Sequence, residues 1–180
     1  RGIKRIGYIP QRESVDWDFP VTVMDVVLMG RYAHARWFRR MGKADRQVAQ
    51  ACLEQVDMTA FANRQIGNLS GGQQQRVFLA RALAQDSSIY LMDEPFAGVD
   101  AVTEKTIISI LKNMKKEGKT LVIVHHDLAT AKEYFDHLLL LNMRKVAYGP
   151  INEVFTHELL QKTYGGKLTV FSEMASRAAK

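Results

Sequence analysis

The 180 residues include a single cysteine, so no disulfide can close within the chain. Cys52 falls in step with Ala49, Leu53 and Val56 at helical spacing and reads as a core residue. A lone thiol also fits a reducing compartment. Long apolar runs are missing as well. The longest candidates, Thr120–Val124 and Leu138–Leu141, fall far short of the roughly 18 to 20 residues that cross a bilayer, so nothing in the sequence spans a membrane. There is no internal repeat and no low-complexity stretch. An initiating methionine is absent too: Arg1 leads at once into a strand-like run, Ile3–Ile9, so the true N-terminus is expected upstream and the want of a signal peptide decides nothing.

What is present suffices for one globular domain with a sizeable core, at 47% hydrophobic composition, and is short for two. The 25 basic and 19 acidic residues leave a formal charge of +6. That balance suits nucleic acid, an anionic membrane surface or an anionic substrate, and equally a plain solvated basic surface.

Pro10–Pro20 is polar and turn-rich. Thr22, followed three residues later by Asp25, has the form of a capping box opening a short helix through Met29. A basic loop, Arg31–Arg40, precedes Asp45–Val56, whose Ala49, Cys52, Leu53 and Val56 trace an amphipathic helix. Residues 20–85 are therefore expected to form a helical subdomain. A second helical pattern over Gly71–Ala84 runs into Ile89–Met92, an apolar run closed by two carboxylates and a proline that reads as a buried strand. Ile107, Ile110, Leu111 and Met114 mark another helix, with Lys112, Lys115 and Lys116 near its end and Gly118 as its stop. Thr120–Val124 reads as the next buried strand and Asp127 as the cap of the helix after it. Leu138–Leu141 and Lys145–Tyr148 suggest a hairpin around Asn142–Arg144. Strands alternating with helices predict an α/β fold with a parallel sheet, and Glu173–Lys180 reads as a solvated tail.

Three strings carry chemistry. Leu69-Ser70-Gly71-Gly72-Gln73-Gln74-Gln75-Arg76 opens a helix with a serine and two glycines, so unobstructed backbone amides and the helix dipole make a place for a phosphate; an ordinary serine cap with flexible glycines is the plainer alternative. Ile89-Tyr90-Leu91-Met92-Asp93-Glu94-Pro95 ends a strand in adjacent acids. At the carboxyl end of a parallel strand, Asp93 could hold Mg²⁺ directly or through water while Glu94 orients and polarises an attacking water; two solvated turn acids are the alternative. Val122-Ile123-Val124-His125-His126-Asp127 ends a second strand in a histidine able to contact a phosphate. A transition-metal site in His-His-Asp is disfavoured, because strand alternation points the two histidines to opposite faces.

Ser70–Arg76, Asp93–Glu94, Gly98–Asp100 and His126 occur in the order of the signature motif, Walker B motif, D-loop and switch histidine of ABC transporter ATPases, and Ile6-Gly7-Tyr8-Ile9-Pro10-Gln11 resembles their Q-loop. The resemblance covers all but the tail. It implies a P-loop NTPase-type core with a helical subdomain, binding Mg·ATP between two cassettes packed head to tail. Ser70, Gly71, Gly72 and Gln73 of one cassette would cover the γ-phosphate held by the other. Glu94 would act as base or water-positioning group, Asp93 and Gln11 would serve Mg²⁺, His126 would contact the γ-phosphate, and Asp100 would couple the cassettes. Within the family, Gln11–Val23, Asp25–Tyr32 and Thr163–Gly166 resemble the ATPase subunits of bacterial manganese, zinc and iron uptake systems. The partners implied are a second ATPase subunit, transmembrane permease subunits and, indirectly, a metal-binding solute receptor, with no nucleic acid. The implied place is the cytoplasmic face of the bacterial membrane.

The family's Gly-x-x-x-x-Gly-Lys-[Ser/Thr] phosphate loop does not occur in the sequence; Gly165-Gly166-Lys167-Leu168 lacks both its spacing and its hydroxyl. The expectation is an N-terminally truncated cassette whose loop and adenine-stacking aromatic precede Arg1, inactive alone. Two rivals remain. A soluble ABC-type ATPase acting on DNA or ribosomes suits the basic charge, although no heptad run lies between Gln11 and Ser70 as DNA-repair relatives would require. An inactive truncated binding module is the other.

Overall fold

The computed structural model describes residues 6–11, 16–17, 19–34 and 41–165, with Ala33 described by its backbone alone. The chain divides into two compact units, Arg1–His126 and Asp127–Lys180.

In the first unit, β1 (Ile6–Ile9), β2 (Ile89–Asp93) and β3 (Thr120–Val124) form a parallel sheet in the order β1-β2-β3. Among the described residues between β1 and β2 lie the α-helices α1 (Val23–Met29), α2 (Lys43–Gln55) and α3 (Gly71–Gln85), with short 3₁₀ turns between them. α4 (Ala101–Lys116) connects β2 to β3. α1, α3 and α4 start where the side chains of Thr22, Ser70 and Asp100 satisfy amides of the first turn. The Thr22 hydroxyl accepts from the Asp25 amide while the Asp25 carboxylate accepts from the Thr22 amide, which is the capping box expected from sequence. The Asp45 carboxylate accepts from the Gly42 amide, so α2 starts two residues before the expected Asp45.

One core runs through this unit. Val23, Val27, Ala49, Leu53, Val56, Met58, Val77 and Ala80 from the helical segments are sealed from solvent together with Ile9, Tyr90, Met92 and Ile107. Cys52 belongs to the same cluster, and burial pushes its thiol pKa up to about 11, as befits a packing residue. Close approach of the segments requires glycine at one crossing: a Cβ at Gly30 would run into the Arg81 carbonyl oxygen of α3. α3 also grips the sheet. Arg81 Nη2 donates to the Tyr8 carbonyl at 3.1 Å and Gln85 Nε2 to the Ile6 carbonyl at 2.8 Å, so side chains of α3 satisfy these two β1 carbonyls.

Ile89–Met92 and Thr120–Val124, read as buried strands, are covered on one face only. Strand alternation sends Tyr90 and Met92 into the core, with Leu121 and Ile123 packed against it, and sends their neighbours the other way. Tyr8, Leu91 and Val122 lie in register across the three strands and are exposed, as are Ile6 and Val124. The sheet thus has one buried face and one apolar face open to solvent.

In the second unit, α5 (Leu128–Tyr134) is capped by Asp127, whose carboxylate accepts from the Ala129 amide at 2.8 Å. β4 (His137–Asn142) and β5 (Arg144–Pro150) form an antiparallel hairpin that turns at Met143, the region expected from sequence. α6 (Ile151–Val154) and α7 (His157–Tyr164) follow, and Leu140, Val154 and Leu160 make the centre of a small core. The tail expected over 173–180, Gly166 and the greater part of the basic loop 31–40 lie outside the described residues. No helix among the described residues is long and apolar enough to cross a membrane.

Candidate functional site

The central strand β2 delivers two carboxylates to the carboxyl end of the sheet. Asp93 is its last residue, paired in register with Val124 of β3, and the Glu94 amide extends the pairing by donating to the Val124 carbonyl at 3.2 Å. The chain then turns sharply. Glu94 takes φ +47°, a left-handed conformation unusual for a residue with a side chain, and the Ala97 amide closes the turn onto the Glu94 carbonyl. Such backbone strain clusters at functional positions, where the surrounding structure holds it in place.

The turn sets the Glu94 side chain between residues that follow the two neighbouring strands. Gln11, two residues beyond β1, donates from Nε2 to Glu94 Oε2 at 3.3 Å. His126, two residues beyond β3, places Nδ1 3.5 Å from Glu94 Oε1. Three of the residues singled out from sequence therefore meet where parallel sheets gather their ligands. The His126 side chain is 70% exposed and that of Glu94 27%, so the acid is sheltered but still reachable by water. His126 faces Glu94 and His125 sets its ring edge-on to Phe96, with centroids 5.5 Å apart; the two histidine rings nevertheless stay beside each other, 6.1 Å apart and tilted by 38°, because the strand ends at Val124 and its alternation does not carry through to them.

Among the described residues no group of three or more His, Cys, Asp or Glu side chains gathers to hold a metal ion. Asp93 and Gln11 offer a carboxylate and an amide oxygen at the same end of the sheet, the hard donors that Mg²⁺ takes. An ion there would complete its shell with phosphate oxygens and water, as Mg²⁺ does with nucleotides.

A second group forms at the start of α3. The Ser70 hydroxyl accepts from the Gln73 amide at 3.3 Å and the Gln73 side-chain oxygen accepts from the Ser70 amide at 2.9 Å, a reciprocal cap that fixes the first turn. The helix is anchored behind that turn by Gln74 Nε2, which donates to the Ile66 carbonyl. Arg76 Nη1 donates to the Val56 and Asp57 carbonyls and lies 3.6 Å from the Asp57 carboxylate. Asp100 caps α4, accepting from the Val102 and Thr103 amides and from the Thr103 hydroxyl, each at 2.9 Å. The Thr103 amide and hydroxyl, with the Val102 amide adding to them, hold the Asp100 carboxyl below the usual carboxylate range.

Sequence reading missed Thr103. It is buried and lies directly against Gly72, so it joins the Asp100 cap to the start of α3. The Asp-x-x-Thr spacing before an amphipathic run was the only local sign of it.

Comparison with known proteins accords with this geometry. The ABC transporter family model matches residues 3–97. The chain is 60% identical over 169 residues to the Manganese transport system ATP-binding protein MntB of Bacillus subtilis (strain 168), covering 94% of this chain and 68% of that protein. It is 57% identical over 166 residues to the Zinc transport system ATP-binding protein TroB of Treponema pallidum (strain Nichols), covering 92% and 62%. A solved structure described as a metal-chelate type ABC transporter in an inward-facing conformation superposes with a TM-score of 0.81 at 30% identity, over 89% of this chain and 64% of that one. The chain belongs to the ABC transporter family, and its fold is that of the family's ATP-binding cassette.

Proposed function

We propose that this chain is the nucleotide-hydrolysing part of a system that imports a divalent transition metal, with manganese first and zinc or iron next. The observation that carries the metal assignment is the 60% identity to a manganese transport ATP-binding protein, over 94% of this chain. The chain spans about two thirds of that relative's length, so the transport cycle belongs to the larger protein.

The geometry supports hydrolysis by water on Glu94. Its carboxylate is bracketed by Gln11 and His126, which limits its rotation and aims it at one spot where a water can be held and its proton accepted. Mg²⁺, when bound with ATP, would supply charge neutralisation at the phosphates, with Asp93 and Gln11 as the residues of this chain that hold it. His126 would contact the γ-phosphate. In a head-to-tail pair of cassettes, the amides of Gly71 and Gly72 and the Ser70 hydroxyl would cover the nucleotide of the partner cassette, with Gln73 fixing Ser70. Asp100 would lie at the contact between the two.

Transmembrane permease subunits are the proposed membrane partners, with a metal-binding receptor acting through them and the cassette peripheral at the cytoplasmic face. Phe19 before α1 and Tyr32 in the 3₁₀ turn after it are exposed aromatic anchors suited to a permease contact, whereas Trp17, expected to be an anchor beside Phe19, packs against the core with its ring 5.2 Å from that of Phe78.

Uptake into vesicles carrying the assembled system, with Mg·ATP on the cassette side, tests this reading. Accumulation of Mn²⁺, Zn²⁺ or Fe²⁺ that depends on ATP is expected. Movement of some other solute with none of the three metals would overturn it.

A further inference from the structure

We propose that Thr103 is a positioning residue that sets the first turn of α3, and with it the Gly71 and Gly72 amides, against the Asp100 cap of α4. The inference rests on the ATP-hydrolysis reading given above.

The contact is tight and directional. A Cβ built on Gly72 would stand 3.1 Å from Thr103 Oγ1 and 3.2 Å from Thr103 Cγ2, both closer than ordinary van der Waals contact, and 3.5 Å from Thr103 Cβ, which is ordinary. Thr103 cannot simply swing away. Its hydroxyl donates to Asp100 Oδ2 at 2.9 Å, its amide donates to Oδ1 at the same distance, and a β-branched side chain in a helix has few rotamers to offer. It is only 9% exposed, so a rotated hydroxyl would also lose its partner without gaining water. A methyl at position 72 therefore requires Thr103 or the first turn of α3 to give by a few tenths of an ångström, against the two hydrogen bonds that hold Thr103 to Asp100.

Two reasons for a glycine at this position can then be told apart. If the bare Cα serves only to let a nucleotide phosphate approach, the identity of residue 103 is irrelevant to it. If Thr103 is what Gly72 makes room for, trimming Thr103 restores tolerance. Alanine at 103 removes both close atoms and leaves a Cβ–Cβ contact of 3.5 Å, which two methyl groups accept.

The test is steady-state Mg·ATP hydrolysis by the complete transporter carrying G72A, T103A or both, with kcat expressed per folded cassette and thermal stability measured alongside. Displacing a reacting group by about an ångström can cost around a hundredfold, so the few tenths of an ångström needed here are expected to lower kcat in G72A by about tenfold. T103A, which loosens Asp100 but leaves the packing free of collision, is expected to cost about threefold. The double variant is expected to match T103A, a non-additivity that distant, independent residues do not show. A double variant no better than G72A would overturn the proposal, and so would losses confined to thermal stability with kcat per folded cassette unchanged. A parent transporter that hydrolyses no Mg·ATP would instead remove the hydrolysis reading, and this assignment with it.

Discussion

Gln11 and Glu94 stand 83 positions apart in sequence, and the Gln11 side-chain amide donates to the Glu94 carboxylate at 3.3 Å. The contact ties the segment after β1 to the turn after β2, and His126 closes on the same carboxylate from the β3 side. Glu94 is thus held by groups that follow all three strands of the sheet. A nucleotide that draws Gln11 toward its Mg²⁺ would alter the setting of the carboxylate at the same time.

In the complete subunit, Gln11→Ala is therefore expected to slow ATP turnover by about ten- to a hundredfold, the rate equivalent of losing a hydrogen bond of ~1.5–3 kcal/mol to a charged group. It should also raise the Mg²⁺ concentration needed for half-maximal rate. Turnover measured across a Mg²⁺ titration checks both effects. Curves that superpose on those of the parent would remove Gln11 from the site.

Gly30→Ala addresses the fold rather than the site. The added methyl meets the Arg81 carbonyl, which is backbone and cannot rotate aside, and comes within 3.2 Å of the Ala84 Cβ. Overpacking of this kind costs about 1–3 kcal/mol. Urea denaturation should show a lower midpoint with an unchanged slope. An unshifted midpoint would mean that the 3₁₀ turn at Gly30–His34 slides over α3 without resistance.

Lys119 Nζ lies 2.6 Å from Asp86 Oδ1, and this hydrogen bond lowers the Asp86 pKa and raises that of Lys119. The sign of the linkage follows. The Asp86 contribution is present above its unfolded pKa near about 4 and is lost as pH falls through the lower folded value. The Lys119 contribution is present below its unfolded pKa near about 10.4 and is lost as pH rises through the higher folded value. Between about pH 5 and 9 the pair should be flat. Because the Asp86 side chain is 68% exposed, solvent and salt screen the pair, and Asp86→Asn, which keeps a residue tolerant of the left-handed backbone at that cap, should cost no more than about 1 kcal/mol. Stability curves of the two proteins should converge once the pH has fallen through the lowered folded pKa of Asp86. A gap that persists there would assign the loss to something other than the ion pair.

Much of this arrangement was legible in the sequence because its signals are local. The Thr22–Asp25 and Ser70–Gln73 caps each lie within four residues, and the carboxylates closing an apolar run announce a strand end whatever the tertiary fold. Which residues form the open face of the sheet was not legible. Leu121-Val122-Ile123-Val124 is apolar at every position, so nothing in the pattern says which alternate set is covered, and the run reads the same for one buried face as for two. The Gly72–Thr103 contact was equally hidden. It joins residues on separate helices, and the glycine already had a sufficient local explanation as part of a phosphate-binding helix start. The division at His126 also left no mark, since the chain passes from His126 into the α5 cap at Asp127 without a proline, a glycine or a change of composition.

Single-turnover hydrolysis by the complete transporter with Glu94→Gln tests the centre of the proposal most directly. Glutamine keeps the size of the side chain and can still meet Gln11 and His126, but it lacks the charge that accepts a proton from water. Nucleotide binding should persist while hydrolysis slows by about 10²–10⁴-fold, the range typical of a removed general base. A variant that binds Mg·ATP and hydrolyses it at near the parent rate would contradict the assignment and move the chemistry away from Glu94.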